Sequence, residues 1–174
     1  NGLEFFDIEL ISSKSGSIRG YVQLSESKRE KTPIIRELIK NEEKAGLGKI
    51  ETYKKFSEEI DKKRNAVQKL ILEIKSRGEK IACYGISHTA NTLSYHFDIN
   101  RHIDFIADDN PNKQGLYTPI YHIPIVSSEK LLIEKPDYVI ILPWNYAQQI
   151  IEKNKTYTDA GGKFIVPLPL LKIV

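Results

Sequence analysis

Three stretches hold residues whose types and spacing suit ligand chemistry. The first, Lys80 to Thr92, reads Lys-Ile-Ala-Cys-Tyr-Gly-Ile-Ser-His-Thr-Ala-Asn-Thr. Its apolar run Ile81 to Tyr84 predicts a parallel strand covered on both faces. Gly85 then permits a tight turn in which the main chain can approach a ligand. Ser87, Thr89, Asn91 and Thr92 can cap or line the start of the following helix, whose free N–H groups favour an anion such as phosphate. The second stretch is Asp108-Asp109-Asn110 and the third is Pro143-Trp144-Asn145. A backbone turn, carboxylates, amides and an indole together suit a ribose, a base and phosphates.

Each feature also has a plainer reading. Any strand-turn-helix unit resembles the first stretch. Asp108 lies near the offset from Gly85 at which dinucleotide folds place a ribose-binding carboxylate. The residues after Gly85 are Ile86, Ser87, His88, Thr89 and Ala90, so the second and third glycines of that fingerprint are absent. NAD binding is therefore poorly supported. Trp144 can stack on a base or simply pack. His88 can hold a phosphate, serve as an acid or base, or stand solvated at a helix start. The four histidines lack metal-ligand spacing with carboxylates or thiols. No Ser-His-Asp arrangement can be assembled. Cys83, the single cysteine, sits in the predicted core strand and reads as a small buried hydrophobe.

The elements that must position these residues follow from the pattern along the chain. Residues 3–11 and 17–24 alternate partly between apolar and polar around a short loop, which predicts an antiparallel hairpin. A lone hairpin is marginal in water, so this one is expected to complete a sheet formed elsewhere. Residues 25–31 are charged and read as a solvated linker. Thr32-Pro33 opens a helix that Gly46 and Gly48 break. A longer helix is predicted from about Glu51 to Ser76, with Tyr53, Phe56, Ile60, Val67, Leu70, Ile71 and Ile74 as its packing stripe. Arg77-Gly78 stops it.

Strands and helices then alternate. A strand is predicted over His102 to Ala107, ended by Asp108-Asp109-Asn110-Pro111. A loop follows over residues 112–121, and Ile123 to Val126 is a brief extended piece. Ser127 or Ser128 caps a short helix, Glu129 to Glu134, which Pro136 breaks. Tyr138 to Leu142 is the most strand-like run, followed by a helix to about Lys153. Lys163 to Val166 gives another strand, and residues 167–174 close the chain. Such alternation implies an α/β fold of parallel βαβ units, an open doubly wound sheet with flanking helices, preceded by the hairpin and the long helix. Ligands of such sheets bind beyond the carboxyl ends of the strands. That rule gathers Tyr84, Gly85, Ser87, His88, Asp108, Asn110, Pro143, Trp144 and Asn145 as candidate site residues, beside Asn91 and Thr92 at the helix start.

Composition excludes other classes. The formal charge of +3 arises from mixed charges without a basic block, which argues against nucleic acid. No stretch is apolar and long enough to span a membrane. One cysteine cannot form an internal disulfide, which fits a reducing cytoplasm. The absence of methionine makes Asn1 a poor native start, and a fragment of a longer protein is expected.

A family resemblance adds to this reading. Tyr84-Gly85, Asn91-Thr92-Leu93, Asp108-x-Asn110-Pro111-x-Lys113-Gln114-Gly115, His122 to Val126 and Pro136-Asp137-Tyr138-Val139-x-x-Leu142-Pro143-Trp144-Asn145 occur in order. The chain resembles the C-terminal domain of S-adenosylmethionine-dependent sugar C-methyltransferases, which act on nucleotide-linked deoxysugars. Gly2-Leu3-Glu4-x-Phe6-Asp7 and Gly16-Ser17-x-Arg19 resemble the hairpin that ends the methyltransferase domain in that family. The resemblance implies three parts. Residues 1–24 would be the terminal hairpin of an upstream methyltransferase domain, 25–78 a charged linker with helices, and 79–174 a Rossmann-like nucleotide-sugar-binding domain.

It further implies that the upstream domain binds S-adenosylmethionine and carries most acid/base residues. This chain then supplies substrate binding, chiefly of the nucleotide part, has no catalytic residue of its own and is inactive alone. One departure stands out. Family members often carry a Lys and a Gly where this chain has Thr89 and Ala90, which leaves His88 or Lys113 to replace that Lys on a phosphate. Two other readings remain open, a non-catalytic interaction or scaffold domain and an NAD-dependent oxidoreductase domain.

Overall fold

The computed structural model describes residues 1–13 and 16–174. It divides into two compact units, Asn1–Glu58 and Glu59–Val174. In the first unit, β1 (Leu3–Ile11) pairs antiparallel with β2 (Ser17–Leu24), with a bulge between Phe5 and Asp7. Partial alternation puts Leu3, Phe5, Leu10, Ile18, Val22 and Leu24 in solvent, each 47% exposed or more. The helix α1 (Pro33–Lys44) starts at Pro33 as expected, but the Thr32 hydroxyl does not cap it. That hydroxyl instead donates to Asp7 Oδ1 at 2.6 Å.

The long helix α2 spans Ile50–Ser76. Its stripe is used unevenly. Tyr53 and Phe56 are exposed, whereas Val67, Ile71 and Ile74 are fully buried within the second unit. Each such burial contributes about 1.5–3 kcal/mol.

The second unit is built on a six-stranded sheet: β3 (Ile81–Tyr84), β4 (Ile106–Ala107), β5 (Ile125–Val126), β6 (Tyr138–Ile141), β7 (Lys163–Val166) and β8 (Lys172–Ile173). The spatial order is β5-β4-β3-β6-β7-β8, parallel except for β8. Side chains alternate cleanly. Ile81, Cys83, Ile106, Ile140 and Ile165 pack on one face with α2 and α3 (His88–His96). Ala82, Tyr84, Ala107, Val139 and Phe164 pack on the other with α4 (Lys130–Glu134), α5 (Ala147–Lys153) and α6 (Lys155–Asp159). Helices on both faces explain why β3 and β6 carry apolar residues at every position. Burial pushes the Cys83 thiol up, as a core residue requires.

Two boundaries differ from expectation. The strand expected over His102 to Ala107 shrinks to Ile106–Ala107, because Ile99–His102 forms a 3₁₀ turn that buries Ile99 and Asn100. The closing residues after Pro167 also form the antiparallel β8, absent from the sequence reading. Among the described residues no helix is long and apolar enough to cross a membrane.

Candidate functional site

The strand order reverses between β3, whose successors run outward to β5, and β6, whose successors run the other way. The loops after these two strands meet. Gly85 has φ +80°, and a Cβ there would lie 2.6 Å from Pro143 Cγ. Glycine is needed here for close packing of one loop on another, where sequence alone pointed to approach by a ligand. Ser87 caps α3 by accepting from the Ala90 N–H at 3.2 Å.

Asp108 is committed within the protein. Its Oδ2 accepts from the Ile86 N–H at 2.8 Å and the Lys113 ammonium at 3.1 Å, and its Oδ1 accepts from the Asn110 N–H at 2.9 Å. Lys113 also donates to the Ile86 carbonyl. A buried carboxylate with three donors fixes the loops after β3 and β4 in one arrangement. Asn110 accepts from the Asn112 N–H at 3.0 Å and completes that turn.

Six of the twelve expected site residues line two cavities, one on each side of α3, and Tyr84, Gly85, Asp108, Asn110, Pro143 and Asn145 line neither. The first has a volume of about 350 Å³. Ser87, His88, Asn91 and Lys113 line it, facing Tyr117, Thr118 and Pro119. Asn91 is half-buried, and its Oδ1 is shielded from solvent with no hydrogen-bond partner. The second, about 330 Å³, is an apolar groove where Thr92 and Trp144 meet Ile60, Phe97 and Leu168. Thr92 donates to the His88 carbonyl at 3.3 Å, and Trp144 packs against the core. Asn145 is exposed on the 3₁₀ turn Trp144–Tyr146 and lines neither cavity.

Tyr84 points to the opposite face of the sheet. Its hydroxyl donates to Asp109, which also takes the Ser128 hydroxyl at 2.8 Å and the Lys153 ammonium at 2.7 Å. Burial, reinforced by Asp109, pushes the Tyr84 phenol up to about 12. Burial alone would raise the Asp109 carboxyl, but Lys153 and the two hydroxyls outweigh it and hold the carboxyl below its ordinary range. Spacing gave no sign of this cluster, since Ser128 and Lys153 lie 19 and 44 positions beyond Asp109. A further cavity of about 230 Å³, lined by Pro136, Tyr157 and Gly162, has its phenol already engaged with the Pro136 carbonyl at 2.8 Å. Among the described residues no group of three or more His, Cys, Asp or Glu side chains could hold a metal ion.

A mostly parallel six-stranded α/β sheet with helices on both faces defines the class as Rossmann-like. Within that class, the family model for the C-methyltransferase C-terminal domain matches residues 12–169, and the chain belongs to this family. The chain is similar to the C-methyltransferase NovU of Streptomyces niveus, at 29% identity over 175 residues. That alignment covers 100% of this chain and 42% of NovU, so the chain spans about two-fifths of its relative's length.

Proposed function

We propose that this chain is the substrate-binding portion of an S-adenosylmethionine-dependent C-methyltransferase that acts on a nucleotide-linked deoxysugar. The observation that carries the reading is the cavity beside α3, which gathers Ser87, His88, Asn91 and Lys113 beyond the carboxyl end of β3. Ser87 and His88 at the helix start suit the phosphates, with Lys113 nearby but already held by Asp108 and the Ile86 carbonyl. Trp144 and Thr92 on the far side of α3 offer an apolar surface to another part of the same ligand. Tyr84, Gly85, Asp108, Asn110 and Pro143 support this site by shaping the loops, and Asn145 stands at its margin.

S-adenosylmethionine supplies the methyl group and is assigned to an upstream domain of the same chain. The only carboxylate at the expected ribose-binding offset, Asp108, is consumed by internal donors, which also weighs against NAD. The apolar residues exposed on the β1–β2 hairpin are the natural contact for that upstream domain. The lone buried thiol suits the cytoplasm.

A thermal-shift panel tests the reading, with thymidine and uridine diphosphates, their sugar conjugates, S-adenosylmethionine and NAD. A nucleoside diphosphate or its sugar is expected to raise the midpoint. A hundredfold excess over Kd stabilises by about 2.7 kcal/mol. A shift with NAD alone would make the chain an oxidoreductase domain, and a flat panel would leave either a scaffold or a pocket that needs the upstream domain, which the same panel on the full-length protein decides. Methyl transfer by this chain alone would overturn the division of labour.

A further inference from the structure

The wall of the cavity beside α3, opposite that helix, is a strained hairpin clasped by side chains of α3 and the turn after it. Residues 115–118 fold back along 123–125. Gly115 N–H donates to the Ile125 carbonyl at 2.9 Å, Ile125 N–H to the Leu116 carbonyl at 2.9 Å, and Thr118 N–H to the Ile123 carbonyl at 3.0 Å. An antiparallel bridge joins Tyr117 and Pro124. The buried Thr118 hydroxyl accepts from the Ile123 N–H at 3.1 Å. The hairpin thereby covers the edge of β5 and aims Tyr117, Thr118 and Pro119 at the cavity.

Its tip is unfavourable by itself. Ile120 has φ +66° and His122 φ +47°, both left-handed. A β-branched residue is a genuine outlier there, and such conformations persist only when their surroundings enforce them. Ile120 is 75% exposed, so packing of its own side chain does not enforce it. The enforcing contacts come from α3 and the turn after it. The Tyr95 hydroxyl donates to the Pro119 carbonyl, and the Tyr95 and Tyr121 rings lie 5.7 Å apart between centroids. Arg101 stands 5.5 Å over the Tyr121 ring and donates to Asp98 at 2.8 Å.

We infer that Tyr95 is a positioning residue, which clasps the 115–125 hairpin to α3 and so sets the wall against which the ligand of that cavity binds. Tyr95 does not line the cavity itself. The ligand half of the inference rests on the function proposed above, whereas the clasp stands independently of it.

The test compares the full chain with Tyr95→Phe, Ile120→Gly and the double variant. Amide hydrogen exchange is read at Thr118, Ile123 and Ile125, and uridine and thymidine diphosphates are titrated by calorimetry. Tyr95→Phe is expected to speed exchange at those amides about fivefold or more while Ala82 and Cys83 stay unchanged. It should also weaken the probe that binds the wild type by about two- to twelvefold, the range one lost hydrogen bond spans. Ile120→Gly removes the left-handed penalty. It should slow exchange at the tip in the wild-type background and restore at least half of both losses in the double variant. Unchanged hairpin exchange in Tyr95→Phe would overturn the clasp. Loosened exchange with unchanged affinity would overturn the positioning role. A wild type that binds neither probe would overturn the proposed function and the ligand half together, leaving the exchange arm to decide the clasp.

Discussion

Asn91 shows how a single residue can separate function from stability. Its Oδ1 is buried without a donor, whereas most buried polar atoms in folded proteins are paired. Removing an unsatisfied acceptor should cost the folded chain little. Asn91→Ala is therefore expected to leave the urea midpoint unchanged or slightly raised, and to weaken nucleoside diphosphate binding about tenfold, as loss of one ligand contact at the cavity wall implies. Parallel denaturation and titration check both signs, and a variant that loses stability without losing affinity would make Asn91 a packing residue. The type and position of Asn91 were legible in the sequence because it sits in the first turn after a strand. The real work of Asp108 was not. Its offset from Gly85 fits a ribose carboxylate, and only the coordinates reveal that Ile86, Asn110 and Lys113 already occupy it. Gly85 was read correctly as a tight turn, but its partner Pro143 lies 58 positions away and no local pattern links them.

At the scale of elements, regular periodicity was readable and tertiary clasps were not. The apolar runs of β3 and β6 and the second half of the α2 stripe announced their burial, whereas Tyr53 and Phe56 of that stripe stand exposed. The 115–125 hairpin read as a loop followed by a brief extended piece from Ile123, and its pairing went unseen because it depends on the edge of β5. The Asp109 cluster is a second such clasp, joining the end of β3, the turn before α4 and the end of α5. It carries a pH signature. The Asp109 carboxyl lies below its ordinary range in the folded chain, so the unfolded chain binds the proton more readily. That linkage stabilises the fold above the unfolded value of about 3.9 and fades as pH falls through the lower folded value. The side chain is 38% exposed, so solvent screens much of the effect. Lys153→Ala should lower stability at pH 7 and narrow the difference between urea midpoints at pH 7 and pH 3. An unaltered difference would show that the Tyr84 and Ser128 hydroxyls alone hold the carboxyl down.

The whole molecule is uneven in how its parts are stabilised. Every buried apolar residue among those described lies beyond Glu58, from Val67 to Ile165. In Asn1–Glu58 the one buried residue described is Gln23, and the hairpin leaves Leu3, Phe5, Leu10, Ile18, Val22 and Leu24 in water. A two-stranded hairpin without a covered face is marginal by itself. The residues lining both cavities fall between Ile60 and Leu168. A chain cut to residues 59–174 therefore keeps the sheet, both helical layers and the candidate site. It is expected to unfold cooperatively, with a midpoint within about 5 °C of the full chain, the shift that roughly 1 kcal/mol produces in a domain of this size. Its nucleoside diphosphate affinity should stay within about twofold, a change of only about 0.4 kcal/mol. Calorimetric scanning and titration of the two chains decide the matter. A large fall in midpoint would mean that the first unit contributes stability beyond its own sparse burial. Retained stability with lost affinity would move part of the ligand site into Asn1–Glu58.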